Sequence, residues 1–155
     1  MYRRDSSGQL EVFLVHPGGP FFAKKDLGYW TVPKGLPEPA EQLGSSDGTD
    51  LLATARREFT EETGLASVAP FVWLGSIKQR GGKVVHAWAF EGDTPDGFVL
   101  QSNLVQIQWP PRSGRTQMIP EVDDGRFFAL DAARRRINAA QAAFLDRLVA
   151  ASAPA

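Results

Sequence analysis

One segment, residues 57–65, carries three glutamates at helical spacing and constrains this chain more than any other feature. In a helix, which turns by about 100° per residue, Glu58, Glu61 and Glu62 fall on one side. Carboxylates at that spacing repel one another by roughly 0.2–0.5 kcal/mol per pair on an exposed helix. A divalent cation reverses the sign, because Mg²⁺ and Mn²⁺ prefer oxygen ligands. The spacing alone therefore leaves a metal site and a solvated acidic face equally open.

The residues around these glutamates favour a helix that packs on the protein. Arg57 stands four residues before Glu61, on an adjoining face, where it can orient a carboxylate. Gly64 is free to adopt the positive φ that commonly ends a helix. The apolar side of the same helix is formed at helical spacing by Leu52, Ala55 and Phe59. We therefore predict a packed helix with its acidic cluster at the rim.

Composition limits the class of protein. A chain of 155 residues with 43% hydrophobic residues is long enough for one domain with a real core, predicted to span 1–155. The net charge of −1 provides no bulk field for nucleic acid or an anionic membrane, and the absence of cysteine excludes disulfides and thiolate metal sites. With no apolar run of membrane-spanning length, a soluble cytoplasmic protein is expected, without membrane or nucleic-acid partners. Its oligomeric state, monomer or homodimer, is left open.

Strand-forming segments surround the predicted helix. They occupy residues 2–4, 10–15, 29–32, 71–77, 83–90, 98–109 and 126–130. Residues 36–49 are rich in Pro, Gly and Ser and are predicted to form an exposed loop. A helical region is predicted at the C-terminal end, with a division near Asn138. Strands on both sides of one helix, with helix at the end, predict an α/β or α+β fold in which helices cover a mixed sheet.

These features together resemble the Nudix hydrolases. The motif of that family runs glycine, five residues, glutamate, seven residues, then Arg-Glu-apolar-x-Glu-Glu-x-Gly-apolar, and residues 57–65 match every specified position of the second half. Residues 30–35, Trp-Thr-Val-Pro-Lys-Gly, resemble the strand and Pro-x-Gly that lead into the motif, so that Gly35 supplies its first glycine. The resemblance covers most of the chain. It implies the Nudix α/β/α sandwich, a mixed β-sheet flanked by helices.

The sequence departs from the motif between its two halves. Counting six forward from Gly35 gives Glu41, whereas the motif counted backward from Arg57 gives Thr49, which has no carboxylate. We prefer Glu41, because the forward count keeps both the glycine and the acid. The step from Glu41 to Arg57 is then 16 positions where the motif has eight, which implies an insertion of eight residues.

The resemblance implies an activity and a set of site residues. It implies hydrolysis of a pyrophosphate bond in a nucleoside diphosphate linked to another group, with Mg²⁺ or Mn²⁺ as cofactor and a small nucleotide as substrate. A general base is also required, and the two candidates are Glu62 and Glu121. The implied metal ligands are Gly35, through its carbonyl, Glu41, Glu58, Glu61 and Glu62, and the implied catalytic residues are Glu62, Glu61, Arg57 and Glu121.

Cations and histidines outside the motif give weaker signals. Among the loop cations we favour Lys34, which adjoins the predicted metal site, and Lys78 or Arg80, in a hairpin turn, as contacts for phosphate oxygens. His16 precedes Pro-Gly-Gly and fits either a place lining the site or a role in the turn. His86 falls within a strand pattern and is predicted to be a hydrogen-bonded structural residue.

A second function remains open at this point. A nucleotide-binding sensor that keeps the fold but has lost efficient catalysis is consistent with the eight-residue insertion. Retention of all three helical glutamates argues against it, because a pure binder has no evident use for the full set.

Overall fold

The structure is a computed structural model that describes residues 1–42 and 49–153, with backbone only at positions 40, 42, 49 and 50. The predicted loop at 36–49 therefore lies partly outside the described residues. Within its described part the chain forms a short helix at Pro39–Gln42. In chain order the elements are β1 (Tyr2–Arg4), β2 (Leu10–Pro17), α1 (Pro39–Gln42), α2 (Thr49–Thr63), β3 (Val72–Lys78), β4 (Val84–Ala89), β5 (Leu104–Gln108), β6 (Thr116–Pro120), β7 (Val122–Ala129), α3 (Leu130–Arg136), a 3₁₀ turn (Ala139–Gln141) and α4 (Ala142–Ala151).

Strand β2 lies at the centre of the protein and is buried on both faces. It pairs antiparallel with β1 on one side and with β7 on the other. Because successive strand residues point to opposite faces, its side chains enter two cores. Leu10, Val12 and Leu14 enter the main core, and Phe13 and Val15 enter the smaller one. This double burial explains why the sequence of β2 is an almost continuous apolar run.

Helices cover the strands, which confirms the predicted α/β arrangement. Helix α3 packs against β2 and β7, α4 packs against β3, and α2 packs against β4. The Phe59 ring of α2 meets the Phe90 ring just after β4 edge-on, with centroids 5.1 Å apart. The paired strands are antiparallel, and isolated parallel bridges such as Tyr2 with Glu91 make the sheet mixed. In the described ranges, no helix has the length and apolar character to cross a membrane.

Some predicted elements differ from the structure. The predicted strand at 29–32 is reduced to bridges, of which one joins Thr31 to Val15. Of the weak strand predicted at 98–109, only β5 forms, and it pairs with the unpredicted β6. Strand β7 begins at Val122, four residues before the predicted start. The Asp-Asp-Gly sequence there reads as a turn, but Gly125 pairs with Val15 and leaves room for the Phe13 ring.

The C-terminal helical region is divided as predicted. The Asn138 side chain accepts a 3.0 Å hydrogen bond from the N–H of Ala140, at the start of the 3₁₀ turn between α3 and α4. Asn side chains favour such caps because their oxygen satisfies a backbone N–H that has no helical partner.

Candidate functional site

Helix α2 carries its acidic cluster partly inside the protein. Glu58 and Glu62 retain only 8% and 4% exposure, whereas the side chain of Glu61 is 35% exposed. The predicted position at the rim is therefore right for Glu61 and wrong for the other two. Gly64 ends the helix at φ 76°, as predicted.

Gly35 allows the backbone to lie directly against Glu58. A Cβ atom added at Gly35 would overlap the carboxylate of Glu58. Only glycine brings backbone this close to a side chain without a clash. The first glycine of the motif thus covers its first helical glutamate, and this contact buries the carboxylate.

Glu62 is buried beside the same backbone segment. The N–H of Lys34 donates a 3.0 Å hydrogen bond to its Oε2 atom. Burial raises the pKa of Glu62 to about 8; the Lys34 N–H and ammonium oppose the rise, while the carboxylates of Glu121 and Glu58 add to it. A buried acid with like charges nearby is common at functional sites.

Glu121 belongs to this electrostatic environment although it comes from a distant part of the chain. It lies just before β7, and its N–H donates a 2.9 Å hydrogen bond to the carbonyl of Asn103. Burial and the charge of Glu58 raise its pKa, Lys34 opposes the rise, and Glu61 adds to it. The structure thus brings Glu121 to the acids of α2, as the resemblance implied.

Arg57 holds three carboxylates at once. Its Nη1 donates to Glu58 at 2.8 Å and to Glu61 at 3.0 Å. Its Nε and Nη2 bind the two oxygens of Glu41 at 3.0 and 2.9 Å. These bonds raise the pKa of Arg57 and lower the pKa of Glu41 to about 2, chiefly through the Arg57–Glu41 hydrogen bonds. The guanidinium therefore fixes the orientation of the cluster.

The implied insertion does not separate Glu41 from Arg57. The carboxylate of Glu41 also accepts from the Thr54 hydroxyl and from the N–H of Glu38, both at 2.8 Å. The alternative position, Thr49, is the first residue of α2. A role for Glu41 as a metal ligand stays a prediction, and its present contacts favour a role in orienting Arg57.

The donor set fits a hard divalent cation. Among residues 1–42 and 49–153, no group of three or more His, Asp or Glu side chains already has a metal-binding arrangement. Glu58 and Glu61 instead turn toward Arg57. The carboxylate oxygens of Glu58, Glu61 and Glu62, with the Gly35 backbone directly against Glu58, are nevertheless the hard oxygen donors that Mg²⁺ and Mn²⁺ prefer.

Two predicted phosphate contacts form no ion pair with this cluster in the described part of the chain, and their role stays a prediction. Lys78 ends β3 and Arg80 lies in the exposed turn that follows, and within the described part of the chain neither forms an ion pair with an acid. Lys34 adjoins Glu62 and Glu121, as its position in the sequence indicated.

The two histidines have different surroundings. His86 is exposed and stacks on Trp73 with centroids 5.8 Å apart; no hydrogen bond of its side chain occurs among the described residues, so the predicted structural bond is wrong. His16 is buried and binds Asp123 and the Lys25 carbonyl. Sequence reasoning missed Asp123, because no local pattern connects two residues 107 positions apart.

Comparison with known proteins identifies the family. The model of the NUDIX domain matches residues 1–148, and the chain therefore belongs to the Nudix family. It is accordingly a hydrolase that acts on pyrophosphate bonds. No curated protein sequence matches the chain.

Two solved structures share the fold at low sequence identity, and a third is similar with a lower TM-score. A C. elegans Ap4A hydrolase, described as a binary complex, is 19% identical with a TM-score of 0.58, covering 96% of this chain and 90% of its own. The NUDIX domain of Shewanella oneidensis NrtR complexed with ADP ribose is 18% identical with a TM-score of 0.60, covering 98% and 83%. A MutT protein from Methanosarcina mazei Go1 is 16% identical with a TM-score of 0.48, covering 99% and 91%.

Proposed function

We propose that this protein is a divalent-metal-dependent hydrolase of nucleoside diphosphates linked to another group. The observation that carries the proposal is the meeting of Glu58, Glu62 and Glu121, from two distant parts of the chain, beside the backbone of Lys34 and Gly35. Placing like charges close together, two of them buried, is costly, and such an arrangement favours a site that a cation or a reaction uses.

Each residue of the cluster has a role in this proposal. Glu58, Glu61 and Glu62, with the carbonyl of Gly35, hold Mg²⁺ or Mn²⁺. When bound, the metal neutralises the pyrophosphate and lowers the pKa of a water molecule. Arg57, oriented by Glu41, keeps the carboxylates in a fixed orientation. Lys34 carries a positive charge beside Glu62 and Glu121, where substrate phosphates would meet it.

The general base is either Glu62 or Glu121. Glu62 is oriented by the Lys34 N–H at one of its oxygens. Glu121 lies at the edge of the cluster, and its backbone rather than its carboxylate makes the hydrogen bond to Asn103. Removing a general base lowers turnover by about 10²–10⁴-fold, so the two candidates can be separated by substitution.

A substrate panel tests the proposal. Ap4A and ADP ribose, named in the descriptions of the two structural relatives, each contain a nucleoside phosphate chain linked to a second group. These two compounds, nucleoside triphosphates and nucleotide sugars are incubated with the protein and Mg²⁺, Mn²⁺ or a chelator, and product nucleotides are quantified. We expect turnover of at least one class, abolished by the chelator. Turnover unaffected by the chelator would contradict metal dependence.

The panel also separates the enzyme from the sensor. Tight nucleotide binding in calorimetry, with no turnover of any compound with either metal, would favour a catalytically weak nucleotide-binding domain. The matched control is Glu58→Gln, which removes one proposed ligand charge while keeping the shape of the side chain. A single domain over residues 1–155, a cytoplasmic location and a monomeric or homodimeric state stay predictions.

A further inference from the structure

The His16 side chain lies in the interior of the protein, between strand β7 and the segment that follows β2. It lies near the end of β2 and is only 7% exposed. Its Nδ1 atom is 2.7 Å from Oδ1 of Asp123 on β7, and its Nε2 atom is 2.6 Å from the carbonyl oxygen of Lys25. Lys25 belongs to residues 18–29, the segment between β2 and Trp30, called here the β2 loop.

Both partners of this ring are hydrogen-bond acceptors. A backbone carbonyl only accepts, and an ionised carboxylate only accepts. A neutral imidazole carries one N–H and can satisfy one of the two, whereas an imidazolium carries two. The two short contacts together therefore require one more proton than neutral His16 and ionised Asp123 supply. The simplest arrangement is an imidazolium that donates to both.

The charged groups around the ring are compatible with this arrangement. Asp123 faces it from β7, and the Trp30 ring packs edge-on at 5.2 Å. Asp26 accepts a 2.7 Å hydrogen bond from the Trp30 indole N–H, and the Arg126 guanidinium lies over the Trp30 ring, 5.5 Å from its centroid. The ammonium of Lys25 is directed to the rings of Phe21 and Tyr29, 3.5 and 4.9 Å from their centroids.

The bonds of His16 tie the β2 loop to the segment that carries Glu121. The loop begins with Gly18, whose N–H donates a 3.0 Å bond to the carbonyl of Glu121. A Cβ at Gly18 would overlap the carbonyl of Pro120, so the loop lies directly on this segment. His16 adds a second attachment at Asp123, two residues beyond Glu121. Glu121 thus lies between a direct backbone bond to the loop, at Gly18, and an indirect one that runs from Asp123 through the His16 ring to Lys25.

We propose that His16 is a positioning residue, whose imidazolium fastens the β2 loop to Asp123 and so holds Glu121 in the acidic cluster. The inference deepens the proposed function, on which the role of Glu121 rests. The second ring proton is essential to it, because a ring with a single N–H can donate to only one of the two acceptors.

The protonation of His16 can be measured without any activity. The chain has two histidines, so a ¹⁵N long-range correlation spectrum shows two imidazole rings, and His86→Gln removes one set of signals and assigns the other. At neutral pH we expect both ring nitrogens of His16 to carry protons. In Asp123→Asn the amide can donate to Nδ1, and a neutral ring then satisfies both partners. An unprotonated Nδ1 in the parent protein would overturn the inference.

Kinetics test the positioning role. Asp123→Leu removes the acceptor and should lower kcat roughly tenfold or more, the usual size for a group that orients a functional residue, with a smaller change in KM. Asp123→Asn, whose amide can donate to a neutral ring, should keep kcat within about threefold of the parent. His86→Gln, outside the site, is the control. A kcat for Asp123→Leu within about threefold of the parent would overturn the role.

The two proposals can fail separately. If the substrate panel gives no turnover, the ¹⁵N spectra still decide whether His16 holds two protons between Asp123 and Lys25. If turnover is found and Asp123→Leu is fully active, the hydrolase stands and the positioning role is wrong.

Discussion

The backbone N–H of Lys34 donates a 3.0 Å hydrogen bond to Glu62, across 28 positions of sequence. The bond connects the lead-in of the Nudix motif to its last helical glutamate. Because the donor is a backbone group, no substitution at position 34 other than proline removes it. Glu62 therefore keeps its orientation in variants that change the charge of Lys34.

Glu62→Gln should stabilise the metal-free protein at high pH. The pKa of Glu62 rises from 4.5 to about 8 on folding, so between these values the folded state holds a proton that the unfolded state has lost. The free energy of unfolding of the parent therefore falls as the pH rises through this range. Glutamine does not ionise, so the variant lacks this loss of stability. Urea unfolding in the presence of a chelator should show equal free energies of unfolding for the two proteins near pH 4.5. At pH 8 the variant should be more stable than the parent by a few kcal/mol. A variant less stable than the parent at pH 8 would contradict the burial argument.

The same substitution should abolish most of the turnover. If Glu62 is a ligand and general base, Glu62→Gln lowers kcat by about 10²–10⁴-fold while circular dichroism shows an intact fold. Glu91→Gln, an exposed acid after β4, serves as the matched control and should behave like the parent. Activity of Glu62→Gln within roughly threefold of the parent would sink the assignment.

Gly35→Ala should damage the site more than the fold. The added Cβ overlaps the Glu58 carboxylate, so either the backbone or the ligand must move. A displacement of about 1 Å at a catalytic centre can cost roughly 10²-fold in rate. We expect that loss in kcat/KM, together with weaker Mg²⁺ activation. The control is Gly97→Ala, whose Cβ meets nothing within 4 Å but is strained at φ 72°; it should lower Tm and leave kcat/KM unchanged.

Arg57→Lys should weaken the metal dependence. An ammonium cannot reproduce the geometry with which the guanidinium binds Glu41, Glu58 and Glu61. The Mg²⁺ concentration for half-maximal activity should rise about tenfold or more. Arg56→Lys, an exposed neighbour on the same helix, should leave it unchanged. Equal effects of the two substitutions would show that Arg57 contributes only general charge.

Glu121→Gln decides whether the acid before β7 takes part in the reaction. As a general base its loss should lower kcat by about 10²–10⁴-fold, measured at saturating substrate and Mg²⁺. Asp124→Asn, which removes an acid paired with Arg126 within β7, is the control. If both variants keep the parental kcat, Glu121 is a loop acid without a catalytic part and Glu62 is the remaining candidate.

The parts predicted well from sequence depend on short-range spacing. Residues 57–65 specify a helix, the arginine that orients its acids and the glycine that ends it, all within nine positions. In the structure Arg57 is hydrogen-bonded to Glu61, and Gly64 has a positive φ. Asn138 likewise acts within its own turn. The forward count from Gly35 to Glu41 also agrees with a Glu41 bound by Arg57.

The parts predicted poorly depend on contacts between distant segments. Burial of Glu58 follows from a glycine 23 positions earlier lying on it, which helical periodicity cannot reveal. The hydrogen bonds of His16 join three separate segments. Strand β6 is exposed along most of its length, so it lacks the alternation of buried and exposed residues by which a strand is predicted.

The attachment of Glu41 to Arg57 has a consequence for how this family can vary. Extra residues between two fixed anchor points change mainly the entropy of closing the chain, which grows by only about 0.6 kcal/mol for each doubling of length. The eight extra residues of the step from Glu41 to Arg57 lengthen only the chain before α2, and their entropic cost grows with the logarithm of that length. Against a typical domain stability of about 5–15 kcal/mol this cost is small. The segment between the anchors is therefore a position where insertions of different length and composition can be accepted without loss of the fold.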